Sequence, residues 1–429
     1  MRPSSSPSEG GLFAGVLARG GAAAAVSDGA WLQALLDAEA ALARALAQAG
    51  IIDAEEAEAI AAACLAERYD AAEIGRDAAG IGNPVGPLVK ALRAAVEGPA
   101  AGHVHRGATS QDIMDTAAML VARRALEPLL DDLGAAGTAA LRLASEHRDT
   151  AMAGRTLLQQ AVPVTFGLVA AGWAAGIGDA RDRLAELRDR RLAAQLGGAA
   201  GTLASLGDAG PAVAAAYARA LGLAEPLLPW HTLRGRVGEL AGALGVAAGA
   251  VAKPARDVVL LSQTEVAEVA EGTGGGSSTM PHKRNPVAAV AALGCARQAP
   301  GLVATLLASM EQEDQRAAGA WHAEWQPLST LLRVTGSAAA WLRECLSDLR
   351  VDAARMRENL DATGGRMLAE RVATVLDREA VERAAQASDF AAALVGLGLE
   401  RAEVERLLDP AGYLGSAGLF VDRVLEGRE

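Results

Sequence analysis

From residue 31 the sequence reads WLQALLDAEAALARALAQAG, in which Leu32, Leu35, Leu36, Leu42 and Leu46 recur at the three- and four-residue steps of one helix face. Ser27 and Asp28 stand in front of this run as an N-cap, and Gly50 closes it. Long apolar periodicity with few breakers predicts further helices over 109–147, 165–195, 211–221, 235–271 and 287–312. Several exceed the usual globular length, which predicts a bundle of long helices running end to end. Pro254 falls inside one of them and should kink it. Before the bundle, IGNPVGPLVKALRAAVEGPAAG is punctuated by Pro84, Pro87 and Pro99 and should hold a turn and one short helix. After it, Gly and Pro punctuation returns. The pattern predicts an all-α, three-part fold: an N-terminal helical domain over 1–102, a central bundle over 103–350 and a C-terminal helical domain over 351–429.

Composition agrees. Of 429 residues, 51% are hydrophobic but only 3% aromatic, and a chain whose apolar content is mostly Ala and Leu favours helix over sheet. The formal charge of −12 is spread without any basic run, which argues against a nucleic-acid partner. An anionic ligand must therefore find a local cationic pocket. Cys64, Cys295 and Cys345 are odd in number and far apart, as expected of reduced core thiols in a cytosolic chain. The opening MRPSSSPSEGGLFAGVLARGGAAAAVSDGA lacks a continuous apolar centre, and the alanine-rich run 241–252 is too short to span a bilayer. A soluble, cytoplasmic protein with no membrane partner is expected.

The chemistry concentrates in GTGGGSSTMPHKRNP, residues 272–286. As a mere linker the segment is badly composed, since two prolines, a lysine and an asparagine follow the glycines. As a phosphate cradle it fails in detail, because Lys283 follows His282 rather than glycine. A catalytic loop able to close fits better: Ser277 and Ser278 carry hydroxyls within a few residues of His282, Lys283 and Arg284, a field in which a serine oxygen gives up its proton more readily. Lys90, Lys253 and Lys283 are the only lysines among 40 basic residues, so a lysine here marks a role arginine does not fill.

GSSTMPHKRNP (276–286) resembles the signature loop of the fumarase/aspartase superfamily. The resemblance implies that Ser277 is the proton-transfer residue next to a substrate carboxylate, and that Lys283 and Asn285 bind carboxylate. HRGATSQDIMDTA (105–117) resembles the first signature region and implies that His105 lines the pocket while Thr109 and Ser110 bind carboxylate. GRTLLQQAVPVTFG (154–167) resembles the second, in which Thr156 and Gln159 hold substrate, with Arg155 a further candidate for neutralising it. The resemblance covers nearly the whole chain and implies a homotetramer with each site built from three subunits.

Most lyases of this family carry histidine at the position of Leu157, where it acts as general acid or holds the leaving group. Leucine moves no proton. Amine and water leaving groups need protonation, which makes an acid worth roughly 10²–10⁴ in rate, so adenylosuccinate or argininosuccinate cleavage is disfavoured. A carboxylate attacks or leaves without a proton, as in the family's cycloisomerase branch, and AGIGNPVGPLVKAL (79–92) and AWHAEWQPL (320–328) resemble that branch's bacterial members. The function so implied is lactonisation of 3-carboxy-cis,cis-muconate to 4-carboxymuconolactone, with a small polycarboxylate as substrate and neither cofactor nor metal. The alternatives are adenylosuccinate lyase or another lyase of the family, and a non-catalytic structural homologue. His322, between Trp321 and Trp325, is a substrate contact or a packed histidine; His103 with His105 lacks the partners of a metal site. His147 and His231 read as structural, and 311–315 as a solvated helix face.

Overall fold

The computed structural model describes residues 11–272, 275–276, 280 and 282–428. Helix dominates. In α1 (Asp28–Gln48) the Ser27 hydroxyl accepts the Ala30 N–H at 3.2 Å, and the chain leaves the helix through Gly50 at φ +71°. All five leucines of its stripe are buried, each contributing about 1.5–3 kcal/mol by leaving water. α2 (Ser110–Glu146) follows the predicted span closely.

An antiparallel hairpin, β1 (Ala151–Thr156) and β2 (Gln159–Thr165), then interrupts the helices, where no strand was expected. The all-α class stands, because this is the one substantial ladder among the described residues. Its turn is Leu157–Leu158, both left-handed at φ +50° and +64°, the geometry of a type I′ turn without the usual Asn-Gly.

α3 (Phe166–Arg190) and α4 (Gly235–Leu261) follow, α4 carrying Pro254 within it. α4 ends ten residues before the expected 271; the chain passes Ala267 at φ +53° and enters β3 (Val269–Ala270). Two more short strands, β4 (Gly275–Gly276) and β5 (Arg284–Asn285), pair with each other. The helix expected over 287–312 is two helices, α5 (Val287–Ala296) and α6 (Ala299–Ala308), because Pro300 in the first turn of α6 has no N–H to continue the ladder. The 311–315 segment lies outside any helix, correcting the helix-face reading. α7 (Ala320–Ser347), β6 (Arg350–Val351) and α8 (Ala353–Asp361) lead into the shorter C-terminal helices, with β6 paired to β3.

The chain groups into two compact units: Met1–Asp132 with Ala180–Gly249 and Gly294–Ala340, and Leu133–Asp179 with Ala250–Leu293 and Trp341–Glu429. The first has a core of α1 leucines with Ile60, Leu88, Ile113 and Tyr217. The second buries Phe166 edge-on to Trp173, and carries a satellite core of Val372, Phe390, Leu394 and Val404. The three cysteines are free and buried, and burial pushes the Cys64 thiol up to about 12. By composition 287–308 is apolar enough to cross a membrane, but α5 and α6 are ten residues each, about 15 Å, half a hydrocarbon core of about 30 Å.

Candidate functional site

In the first unit the HRGATSQD segment makes a turn and enters α2. Thr109 stands just before the helix, and Asp112 three residues on accepts the Thr109 N–H at 2.9 Å, one half of a capping box. Asp112 is wholly buried and also accepts from Gly197 N–H and Gly198 N–H, both 2.9 Å, and meets His231 Nε2 at 2.7 Å. It thus fixes Thr109 and Ser110, both half-buried, at the N-terminus of a long helix, where the peptide dipoles favour an anion.

His105 precedes this turn at φ +63°, an uncommon backbone region for a residue with a Cβ. Its Nδ1 lies 2.6 Å from Oε1 of Glu39, whose side chain on α1 is completely enclosed. Burial alone would pull the imidazole down, but the Glu39 charge and hydrogen bond more than offset it and hold its pKa above the ordinary value. His103, its neighbour, faces Arg106 at 3.1 Å and Glu56 at 3.6 Å.

A buried ionic cluster supports α2 from behind. Arg234 reaches Asp115 at 2.7 and 3.0 Å and Glu324 at 2.9 and 2.5 Å, and Trp321 Nε1 donates to Asp115 at 3.1 Å. Gln312 joins through Glu324 at 3.1 Å, and Arg316 donates to Gln111 at 2.8 Å. His322 is exposed: its ring lies 4.7 Å from that of Trp325, and Nε2 is 3.0 Å from the Gly82 carbonyl. The two segments 79–92 and 320–328 therefore meet.

In the second unit Thr156 and Gln159 are directly paired across the hairpin turn and exposed, beside Leu157 at 97% exposure. Arg155, expected to offer a free charge to substrate, instead gives both terminal nitrogens to Glu268 at 2.9 and 2.6 Å. Glu268 is fully enclosed and also accepts from Asn359 Nδ2 at 2.7 Å, so Arg155 ties the hairpin to the segment before the glycine loop. That loop returns through β5, which sets Asn285 opposite Gly275 and Arg284 opposite Gly276. Lys283 is exposed, and its N–H donates to the Met280 carbonyl at 3.0 Å. Asn285, Arg284, Arg350 and Glu271 line a cavity of about 460 Å³. Two loop glycines are required by close approach: a Cβ on Gly272 would meet the Asp348 carboxylate at 2.5 Å, and one on Gly275 a Val287 methyl at 2.5 Å. Ser277 lies outside the described residues.

The carboxylates that hold this machinery, Glu39, Asp112 and Glu268, were not singled out from sequence. Glu39 could have been. It falls seven residues after Leu32 and seven before Leu46, an acid on the apolar stripe of α1. No group of three or more metal-ligating side chains occurs among the described residues.

A model of the lyase family matches residues 22–301. The chain is 46% identical to a 3-carboxy-cis,cis-muconate cycloisomerase of Bradyrhizobium diazoefficiens, over 97% of this chain and 98% of that one. It is also 46% identical to a nitrosuccinate lyase of Streptomyces davaonensis, over 97% and 94%. Among solved structures, the 3-carboxy-cis,cis-muconate lactonizing enzyme of Pseudomonas putida superposes with a TM-score of 0.91 at 42% identity, covering 97% of this chain and 98% of that one. With the family model spanning more than half its length and a relative 46% identical matched almost end to end, the chain belongs to the fumarase/aspartase superfamily of lyases.

Proposed function

We propose that this enzyme is a cycloisomerase that closes 3-carboxy-cis,cis-muconate to 4-carboxymuconolactone. The observation that carries the reading is Leu157, which puts an exposed aliphatic chain on the turn between Thr156 and Gln159, where most lyases of the family carry a histidine. Lactonisation, unlike adenylosuccinate or argininosuccinate cleavage, needs no acid on a leaving group. The meeting of 79–92 with 320–328 at His322 and Gly82 supports it further, since both segments resemble the bacterial cycloisomerases.

In this reading Lys283, Asn285, Thr109 and Ser110 hold the substrate carboxylates, with Thr156 and Gln159 on the hairpin and His105 and His322 at the rim. An internal carboxylate oxygen adds to the conjugated double bond. Its π electrons move toward the neighbouring carboxylate as an enediolate, which the cationic and hydrogen-bonding groups stabilise. Ser277 then delivers a proton to carbon. Arg155 acts through Glu268, fixing the hairpin. The central 103–350 bundle is the core of a homotetramer in which one site draws on several chains. Half-exposed Val246 on α4, Val287 and Val290 on α5 and Leu307 on α6 support such burial.

A second reading has a specific observation in its favour, the equal identity to a nitrosuccinate lyase. A nitro group expelled as nitrite is a weak base and needs no acid either, so Leu157 permits both reactions. Parallel assays separate them: loss of the muconate diene absorbance on one side, and nitrite release from nitrosuccinate on the other.

A further inference from the structure

Glu39 is a carboxylate that packing does not need. Its neighbours on the stripe of α1, Leu35, Leu36 and Leu42, are buried hydrocarbons, and it is enclosed as fully as they are. Oε1 meets His105 Nδ1 at 2.6 Å, while Oε2 has no hydrogen-bond partner among the described residues. A carboxylate so desolvated is tolerated as an anion when its one partner carries the opposite charge. His105 is held from both sides, by this contact and by its left-handed backbone, and its side chain keeps 15% exposure. Nε2 makes no hydrogen bond among the described residues. The anion-favouring start of α2 follows four residues on.

We propose that Glu39 is a positioning residue that holds His105 through Nδ1–H as an imidazolium and presents its Nε2–H as a donor to a carboxylate of the substrate. This rests on the reading that His105 lines the polycarboxylate site. Two charged groups around the ring, Glu39 on α1 and Asp112 on α2, favour the cation, and Arg93, on the helix Val85–Ala95, opposes it. On the ring's own loop, His103 faces Arg106 on one side and Glu56 on the other. The arrangement replaces a mobile surface cation by a preoriented one whose counter-charge is built in, so substrate binding weakens as pH rises and the ring loses its proton.

The test compares the full-length enzyme with Glu39→Gln, Glu39→Asp and His105→Gln. Histidine Cε1 resonances are followed against pH, with His105 assigned by its absence in His105→Gln, and kcat and KM for 3-carboxy-cis,cis-muconate are measured across the same range. Glutamine keeps an acceptor for Nδ1–H but removes the charge. The His105 titration should therefore fall by about one pH unit, with KM near neutrality rising roughly tenfold and kcat nearly unchanged. Glu39→Asp should titrate near the parent, and His105→Gln should lose the pH-dependent limb of KM. An unmoved His105 titration in Glu39→Gln overturns the proposal, as does a KM profile that keeps its limb in His105→Gln, which also decides the matter if Glu39→Gln does not fold. Because the titration needs no substrate, a shifted titration in an enzyme that does not turn over muconate retains the role of Glu39 and removes the functional reading instead.

Discussion

At the scale of the residue, the proposed reaction turns on which side chains can move a proton. Ser277→Ala should leave the folded state intact by circular dichroism and lower kcat by about 10²–10⁴, the range of a positioned proton-transfer group. A variant retaining most of its turnover contradicts the assignment. Leu157→His should unfold within about 0.5 kcal/mol of the parent, since the site is exposed, and should not raise kcat. A marked gain would mean that the reaction wants an acid at the turn. His105 links the site to stability. Its pKa is held above the ordinary value of about 6.5, so its contribution is complete below that value and is lost as pH rises through the higher folded one. Denaturant unfolding should therefore show a smaller decline in stability from mildly acidic to alkaline pH in His105→Gln than in the parent. Ser277, Lys283, Asn285, His105, Thr109 and Ser110 were legible as a resemblance in short motifs. Their supports were not, because Asp112 and Glu268 act through contacts with residues dozens to more than a hundred positions away, at Gly197, His231 and Arg155.

At the scale of the element, helices announced themselves and the hairpin did not. α1 and α2 follow from apolar period and caps, whereas β1 and β2 turn through two leucines that carry none of the Asn-Gly signal for a type I′ turn. Arg155 illustrates the same limit. Sequence marks it as a cation in a site that needs one; the paired hydrogen bonds to Glu268 make it an anchor. Arg155→Met would leave Glu268 enclosed with Asn359 as its remaining side-chain partner, and should cost about 3–5 kcal/mol in denaturant unfolding. An unchanged midpoint would show that the pair does not hold the hairpin.

At the scale of the whole molecule, valines and leucines half-exposed on α4, α5 and α6 want company. Light scattering coupled to gel filtration should return four times the chain mass of 43.6 kDa. Ser277→Ala chains and chains carrying both Thr109→Val and Ser110→Ala, unfolded and refolded together, should recover activity that neither shows alone, because a shared site can draw an intact serine loop and an intact helix start from different chains. A monomer, or mixtures as inactive as their parts, would contradict a site built across subunits. The composition pointed to helices; nothing in it could show assembly, which depends on faces that only the folded chain exposes.

The most direct measurement mixes the purified protein with 3-carboxy-cis,cis-muconate, without added cofactor, and follows the ultraviolet absorbance of the conjugated diene, with nitrosuccinate and adenylosuccinate in parallel. Rapid loss of the diene with formation of 4-carboxymuconolactone is the expected result. A stable diene alongside nitrite release from nitrosuccinate, or cleavage of adenylosuccinate, would contradict lactonisation as the reaction of this site.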